Sequence, residues 1–340
     1  MPNIMLTYRC NLKCPYCFAN EFVNKTNTDI TISNFEKAVD FLTRQNETEI
    51  GLIGGEPLLH PNFHDILQSL ILNNKVRGVT IYTNGILLDK YISLLVHPKI
   101  RILVNINSPD TIGESNFERI KSALDTLMFD YLMKDRINLG LNLYSDQLDY
   151  SFIIELLKSY SLHRLRISLT VPDFSKGTEI HPIQYFKDRK EYILKFLHDM
   201  DNITVLPYYD CNKPPYCIWT KDEVEWIEKY ISRYPVSESN LLGKCSQCFP
   251  VIDILPDLHA VRCFGMSDFL KVDINEFNNL ADLASYFVNQ IDTHVYRICS
   301  SIECTDCYDR KTRHCTAGCI GFKEKELLEI NRYYEKISCS

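Results

Sequence analysis

The placement of the cysteines constrains this chain more than any other feature. Fourteen occur in 340 residues: three within residues 10–17, none from 18 to 210, and eleven from 211 to 339. A disulfide scaffold would spread its bridges through the whole fold, whereas short spacings gathered in two places point to metal ligation. No stretch approaches ~20 apolar residues. The N-terminus, Met1-Pro2-Asn3-Ile4, lacks the charged and apolar regions of a secretory signal. The expectation is a cytoplasmic protein whose thiols stay reduced, with no membrane partner. A net charge of −7 without any basic run argues against a nucleic-acid partner.

With 45% hydrophobic residues the chain can bury a sizeable core. Probable strands are Asn3–Thr7, Glu49–Ile53, Gly78–Tyr82, Arg101–Ile106, Asn138–Tyr144 and Arg164–Val171. Between them lie helical patterns near 32–45, 62–75, 87–96, 115–133, 149–160 and 184–200. Such alternation indicates βαβ units and a parallel sheet. Six units suit either an open (β/α)6 partial barrel or a doubly wound sheet, and periodicity does not choose. Pro207, Pro214 and Pro215 then punctuate an extended segment before a helix from Lys221 to Ser232. Further helices are expected only near 280–292 and 323–336. This divides the chain into 1–205, a bridging region 206–242, and a cysteine-rich domain 243–340.

Strand one runs into Cys10-Asn-Leu-Lys-Cys14-Pro-Tyr-Cys17. Three thiolates from one tight loop can cap three irons of a cubane and leave the fourth open to a small ligand. The alternative is zinc, which wants four closed ligands; the nearest histidine in sequence is His60. Gly54-Gly55-Glu56-Pro57 follows strand two, with glycines for close backbone approach and Glu56 as an anion for an ammonium group. Thr83-Asn84-Gly85, Asn105 with Asn107 and Ser108, and Asn142 with Tyr144 end strands three, four and five. Parallel α/β folds build their sites at such strand ends.

The C-x3-C-x2-C spacing resembles the hallmark of the radical S-adenosylmethionine (SAM) superfamily. The resemblance implies a partial (β/α)6 TIM-like barrel in which Cys10, Cys14 and Cys17 hold a [4Fe–4S] cluster that chelates SAM. Tyr16 matches the aromatic position near the adenine, and Gly54, Gly55, Glu56 and Pro57 match the motif that binds the methionine amino group. Asn105 and Asn107 match positions that contact the ribose, with Thr83 and Asn142 as further candidate contacts.

The second half reads Cys245-x2-Cys248-x14-Cys263, then Cys304-x2-Cys307-x7-Cys315-x3-Cys319, then Cys339. Eight thiolates fill two four-cysteine cages, and a zinc ribbon is the competing use of such pairs. The pattern resembles the SPASM extension of radical SAM enzymes, with Leu258 where glycine is usual and two extra residues between Cys307 and Cys315. Carried over, its crossed ligation assigns Cys245, Cys248, Cys263 and Cys319 to one auxiliary [4Fe–4S] cluster. Cys304, Cys307, Cys315 and Cys339 take the other, for three clusters in all.

Cys211, Cys217 and Cys299 remain as idle thiols or, for the first two, hydrogen-atom donors; Cys299 is an alternative ligand to Cys304. The resemblance further implies an oxidoreductase that abstracts a hydrogen atom from a ribosomally made precursor peptide, giving a crosslink, dehydrogenation or epimerisation. A flavodoxin or ferredoxin would donate electrons. The first strand starts near Met1, so the expectation is either a separate peptide-recognition protein or a substrate without a leader. Alternatives are dehydrogenation or rearrangement of a small metabolite, and formylglycine formation as in sulfatase maturases. Those maturases place an aspartate after the cysteine matching Cys263, where this chain has Phe264.

Overall fold

The computed structural model describes residues 1–17, 19, 22–25, 28–46, 48–170, 181–235, 240–242, 248, 251–264, 270–299, 301–323 and 325–330. Two compact units interleave along the chain. One comprises Met1–Leu141, Asp149–Leu162 and Pro250–Ser285; the other comprises Asn142–Leu148, His163–Phe249 and Tyr286–Ser340.

The first unit is built on β1 (Asn3–Met5), β2 (Thr48–Ile53), β3 (Val76–Thr83), β4 (Ile100–Asn105) and β5 (Ile137–Leu143). They pair in parallel and lie in sequence order. A doubly wound sheet would reverse direction after its first strands. Here every crossover steps the same way, so right-handed connections put the helices on one face, as a barrel requires.

Helix Ile32–Thr43, capped by the Thr31 side chain, buries Phe35, Ala38, Val39 and Leu42. Helix Phe63–Leu72 buries Phe63, Ile66, Leu67 and Leu70. Both are stripes at i, i+3, i+4 and i+7, each large side chain contributing about 2 kcal/mol of apolar burial. Helices Glu114–Asp125 and Ser151–Ser159 follow the same rule.

On the other side of β1 lie three short strands that periodicity did not reveal: β8 (Asp253–Ile254), β9 (His259–Val261) and β10 (Val272–Asp273). β8 runs parallel to β1, and β8–β9 and β9–β10 are antiparallel. Asn3 donates to Asp253 at 2.6 Å inside this seam. Between β8 and β9, Leu258 takes φ +69°, the conformation for which glycine is the usual residue. The hairpin thus keeps the glycine-like turn and also buries the leucine side chain.

In the second unit β6 (Arg164–Leu169) and β7 (Leu206–Cys211) pair in parallel. Helix Pro182–Asn202 lies between them in sequence, and helix Lys221–Ile231 opens with a Thr220–Glu223 capping box. β7 lies in the segment that the sequence marks as extended, and Pro207 within it offers no ladder donor. The last expected strand residue, Val171, and the end of the expected helix 323–336 lie outside the described residues.

Two glycines test the backbone argument. Gly85 (φ +86°) follows β3, and a Cβ there would lie 2.8 Å from Val104. Gly113 (φ +83°) has nothing within 4 Å. Gly85→Ala should cost about 2–4 kcal/mol, from positive-φ strain plus overpacking against Val104, whereas Gly113→Ala, at φ +83° and ψ 142° in open space, carries only backbone strain of about 1–3 kcal/mol. Denaturant midpoints of double variants separate the two: Val104→Ala should offset part of the Gly85→Ala loss and simply add to that of Gly113→Ala, and additivity in both would contradict the packing account.

Candidate functional site

The polypeptide leaving β2 continues alongside the segment that leads into the first cysteine. Gly55 N–H donates to Thr7 C=O and Glu56 N–H to Arg9 C=O, both at 2.8 Å. A Cβ on Gly54 would lie 2.8 Å from Thr7 O, and one on Gly55 would lie 2.4 Å from Arg9 O. The glycines therefore serve close approach, as the sequence implied, and what approaches is the backbone of Thr7–Cys10.

Three further contacts hold that backbone. Arg9 forks onto Asp29 at 3.0 and 2.9 Å and donates to Leu59 C=O at 2.9 Å. Asn24, in the left-handed region at φ +61°, accepts from Cys10 N–H and donates to Cys10 C=O, each at 2.9 Å. Asn84 Nδ2 donates to Asn11 Oδ1 at 2.8 Å, joining the end of β3 to the cysteine loop. Sequence reasoning missed Arg9, Asp29 and Asn24, because their partners are remote in the chain and each alone resembles an ordinary surface residue.

Cys10, Cys14 and Cys17 stand within electrostatic reach of one another. Burial raises all three thiols, Cys10 to about 12, and neighbouring thiols add to the rise at Cys10 and Cys14. Three adjacent thiolates thus need a cationic centre, whose binding would release their protons. The loop is prepared for that. Leu12 N–H donates to Cys10 Sγ at 3.4 Å, Ala19 N–H serves Cys17, and Tyr16 and Asn107 hydrogen-bond Cys14.

His60 cannot complete a zinc site. Its Nδ1 accepts from Asn62 N–H at 3.1 Å and its Nε2 donates to Ile30 C=O at 2.9 Å, so no lone pair is left for a metal. Three thiolates with no fourth protein ligand among the described residues fit a cubane with one open iron.

Glu56 is fully buried at the end of β2. Its Oε1 accepts from Leu58 N–H at 3.1 Å and Thr83 Oγ1 at 2.7 Å, and its Oε2 accepts from Asn84 N–H at 2.8 Å. A carboxylate has about four acceptor positions, so one remains on Oε2, which suits an ammonium donor. Burial raises Glu56 to about 7 despite these bonds. Pro57 opens the helical turn that follows.

Thr83, a candidate contact, is thus a support of Glu56. Tyr16 donates its hydroxyl proton to Asn107 Oδ1 at 2.6 Å, bringing two further candidates together. Asn105 ends β4, half-buried. Asn142 belongs to the second unit, where Arg166 at 3.3 Å and the Ser168 hydroxyl donate to its Oδ1.

Cys263 lies in the first unit, just after β9, followed by Phe264. Phe264 packs with Met5, Ala19 and Val261, and Tyr8, Cys17 and Phe22 border the same cluster. The aromatic side chain after Cys263 is thus part of the apolar wall behind the cysteine loop.

In the second unit the thiols form two groups. Cys319 hydrogen-bonds both Cys211 and Cys248; Cys211 is lowered by its bond to Cys319, which in turn holds its own proton tightly. Cys304 stands near Cys217, Cys307 and Cys315, and burial raises Cys304 to about 11. The turn at Thr316–Gly318 needs its glycine: φ is +98°, and a Cβ would meet Phe186 at 2.9 Å. It directs Ala317 N–H to Cys315 Sγ at 3.2 Å and Gly321 N–H to Cys319 Sγ at 3.4 Å.

Between Cys307 and Cys315 lie the short helix Tyr308–Lys311 and left-handed Arg313. Lys323, fully buried, donates to Val295 C=O at 2.7 Å and lies in the field of Cys304 and Cys315. Burial lowers Lys323 to about 8, and the two thiols oppose that shift. Cys245 and Cys339 lie outside the described residues. Among the described residues no three His, Cys, Asp or Glu side chains converge as one metal ion requires.

Residues 4–128 match the Radical SAM superfamily. The chain carries a radical SAM domain. It is 25% identical to a probable GTP 3′,8-cyclase of Methanococcus aeolicus over 230 residues, 58% of this chain and 76% of that protein. It is 35% identical to the antilisterial bacteriocin subtilosin biosynthesis protein AlbA of Bacillus subtilis over 103 residues, 30% of this chain and 22% of that protein.

A solved structure of native anSMEcpe with bound AdoMet (SAM) is similar over 94% of this chain and 88% of that one, with TM-score 0.62 and 17% identity. The same protein has been solved with AdoMet and the Cp18Cys peptide. The fold of the radical SAM domain is therefore the partial barrel that the strand order indicates, and its chemistry is enzymatic. The superfamily works with SAM and a [4Fe–4S] cluster.

Glu56 gives this domain a measurable pH signature. The group titrates near 4.5 when unfolded and near 7 when folded, so between those values the folded state binds more protons. Stability contributed by Glu56 therefore falls as pH rises through that window. Thermal midpoints of metal-free wild type and Glu56→Gln, measured across the window, should diverge with the wild type losing ground as pH rises. Parallel curves would contradict the burial of an ionisable Glu56.

Proposed function

We propose that the chain is a SPASM-type radical SAM enzyme that abstracts a hydrogen atom from a peptide, with two auxiliary [4Fe–4S] clusters beside the one that cleaves SAM. The observation that carries this reading is the pairing of a three-thiol loop with a buried, incompletely satisfied carboxylate. Cys10, Cys14 and Cys17 would hold the first cluster. When bound, it supplies the electron that splits SAM into methionine and the 5′-deoxyadenosyl radical.

The chain's own residues then position the reactants. Glu56 receives the methionine ammonium on its remaining acceptor site, held by Thr83 and Asn84. Gly54 and Gly55 fix the cysteine loop beside it, with Pro57 turning the chain away. Tyr16 and Asn107, joined to one another, border Cys14, and with Asn105 they are the proposed nucleoside contacts of the first unit, Asn142 being a further candidate. Close positioning is what the chemistry needs, because a misplaced radical attacks the protein.

The auxiliary clusters would draw on Cys245, Cys248, Cys263, Cys319, Cys304, Cys307, Cys315 and Cys339, and would accept the electron left after a bond forms. The N–H···S bonds to Cys315 and Cys319 and the buried Lys323 support thiolates in this region. The likeness to anSMEcpe, solved with a peptide, and to AlbA, named for bacteriocin biosynthesis, supports a peptide substrate. A flavodoxin or ferredoxin would supply electrons, and a separate recognition protein would present the peptide. A nucleotide or other small metabolite is the second reading, favoured by the longer match to a GTP 3′,8-cyclase.

Anaerobic reconstitution should give about 12 iron and 12 sulfide per chain, three cubanes. Replacing Cys10, Cys14 and Cys17 together by Ala should remove about a third of the iron and abolish 5′-deoxyadenosine formation under dithionite. Undiminished cleavage would overturn the assignment. Incubation with a precursor peptide encoded nearby should yield a loss of two mass units, or deuterium uptake at constant mass. Turnover of GTP or another metabolite with every peptide unchanged would favour the second reading.

A further inference from the structure

The ladder between β6 and β7 is irregular at its C-terminal end. Arg166 faces Tyr208 and Ile167 faces Tyr209, but Ser168 faces Cys211, so Asp210 is an extra residue with no partner in the ladder. A bulge of this kind re-aims a side chain, and bulges gather beside binding and active sites. This one is held from both sides. Asn240 accepts from Tyr209 N–H at 2.8 Å and donates to Tyr209 C=O at 2.5 Å, clamping the residue before Asp210. Buried Asn212, left-handed at φ +52°, donates to Leu169 C=O at 3.2 Å just beyond it.

The Asp210 carboxylate is oriented as firmly as its backbone. Arg166 donates to it from Nε at 3.2 Å and from Nη2 at 3.0 Å, and both bonds end on Oδ2. Arg166 Nη1 donates to Asn142 Oδ1 and to Ser168 Oγ, each at 3.3 Å, which fixes the guanidinium in turn. The usual Arg–carboxylate fork uses both oxygens. Here Oδ1 of Asp210 keeps no partner among the described residues, and the Asp210 side chain is 47% exposed against 12% for Arg166. Along β6 the residues Arg164, Arg166 and Ser168 alternate with buried Leu165, Ile167 and Leu169, so one face of the strand is polar throughout. Arg164 lies 4.8 Å over the Tyr208 ring and extends that face to β7. Parallel α/β folds place ligands at such strand ends.

We propose that Asp210 is a substrate-binding residue, accepting on Oδ1 a hydrogen bond from an N–H group of the peptide, with Arg166 as the residue that positions it. A carboxylate held through one oxygen presents the other in a fixed direction, and the charge on Asp210 strengthens a bond from any N–H donor. The bulge, the Asn240 clamp and the Arg166 network then serve one end, the aim of a single acceptor. This rests on the reading of the substrate as a peptide and adds to it a subsite in the second unit.

Carboxyl labelling of the reconstituted full-length protein with a carbodiimide and glycine ethyl ester, with and without the precursor peptide encoded nearby, reads Asp210 without relying on a variant. Asp210 should be labelled in the free protein and protected by the peptide, while Asp65, exposed on helix Phe63–Leu72, labels equally in both. Asp210→Asn should weaken peptide binding, followed by fluorescence anisotropy, about tenfold at unchanged iron content, and Asp210→Glu should recover part of the loss. Peptide that binds the wild type and leaves Asp210 labelling unchanged, or that binds Asp210→Asn as tightly as wild type, would overturn the assignment and leave the peptide reading standing. Wild type that binds no peptide and turns over a metabolite instead would overturn both, so the two failures are told apart by the wild type alone.

Discussion

Two backbone hydrogen bonds, from Gly55 to Thr7 and from Glu56 to Arg9, are the constraint on which the site depends. They extend strand pairing beyond the end of β1 and carry the chain into Cys10 at a fixed height above the sheet. Any side chain at Gly54 or Gly55 would strike the opposite backbone. The same peptide run delivers Glu56, so one stretch of four residues sets both the cysteine loop and the buried carboxylate. Arg9–Asp29 and the Asn24 clamp then hold the loop against the charge that three thiolates would bring.

The electrostatics of the first unit are those of a site that awaits a cation. Raised thiols at Cys10, Cys14 and Cys17, and a carboxylate raised to about 7 with an acceptor position left, are each costly when unpaired. An iron–sulfur cluster and an ammonium group are complementary to them. His60, with both nitrogens committed, is excluded from that role by geometry rather than by distance in sequence.

Much of this was legible in the sequence. The six βα repeats, the order of polar residues at strand ends and the three-cysteine loop all follow from local pattern, and the strands fall within two residues of expectation through β5. The barrel itself was not legible, since strand order depends on which edge each crossover selects. β7 was hidden by Pro207, and β8 to β10 are too short to show a period of two. The support that the Thr83 hydroxyl gives Glu56 was not legible, because 27 residues separate the two in sequence. Cys211 and Cys217 have neighbours, Cys319 and Cys304, that lie 108 and 87 residues away in sequence and stand near them only in the folded second unit.

The central claim is that SAM binds with its amino group between the open iron of the Cys10–Cys14–Cys17 cluster and Glu56. Pulsed electron paramagnetic resonance of the reduced cluster, with SAM labelled by 15N at the methionine amino group, tests it most directly. The account predicts a hyperfine coupling from that nitrogen to the cluster, weakened or lost in Glu56→Gln. A cluster whose spectrum is unchanged by labelled SAM at saturating concentration would contradict it.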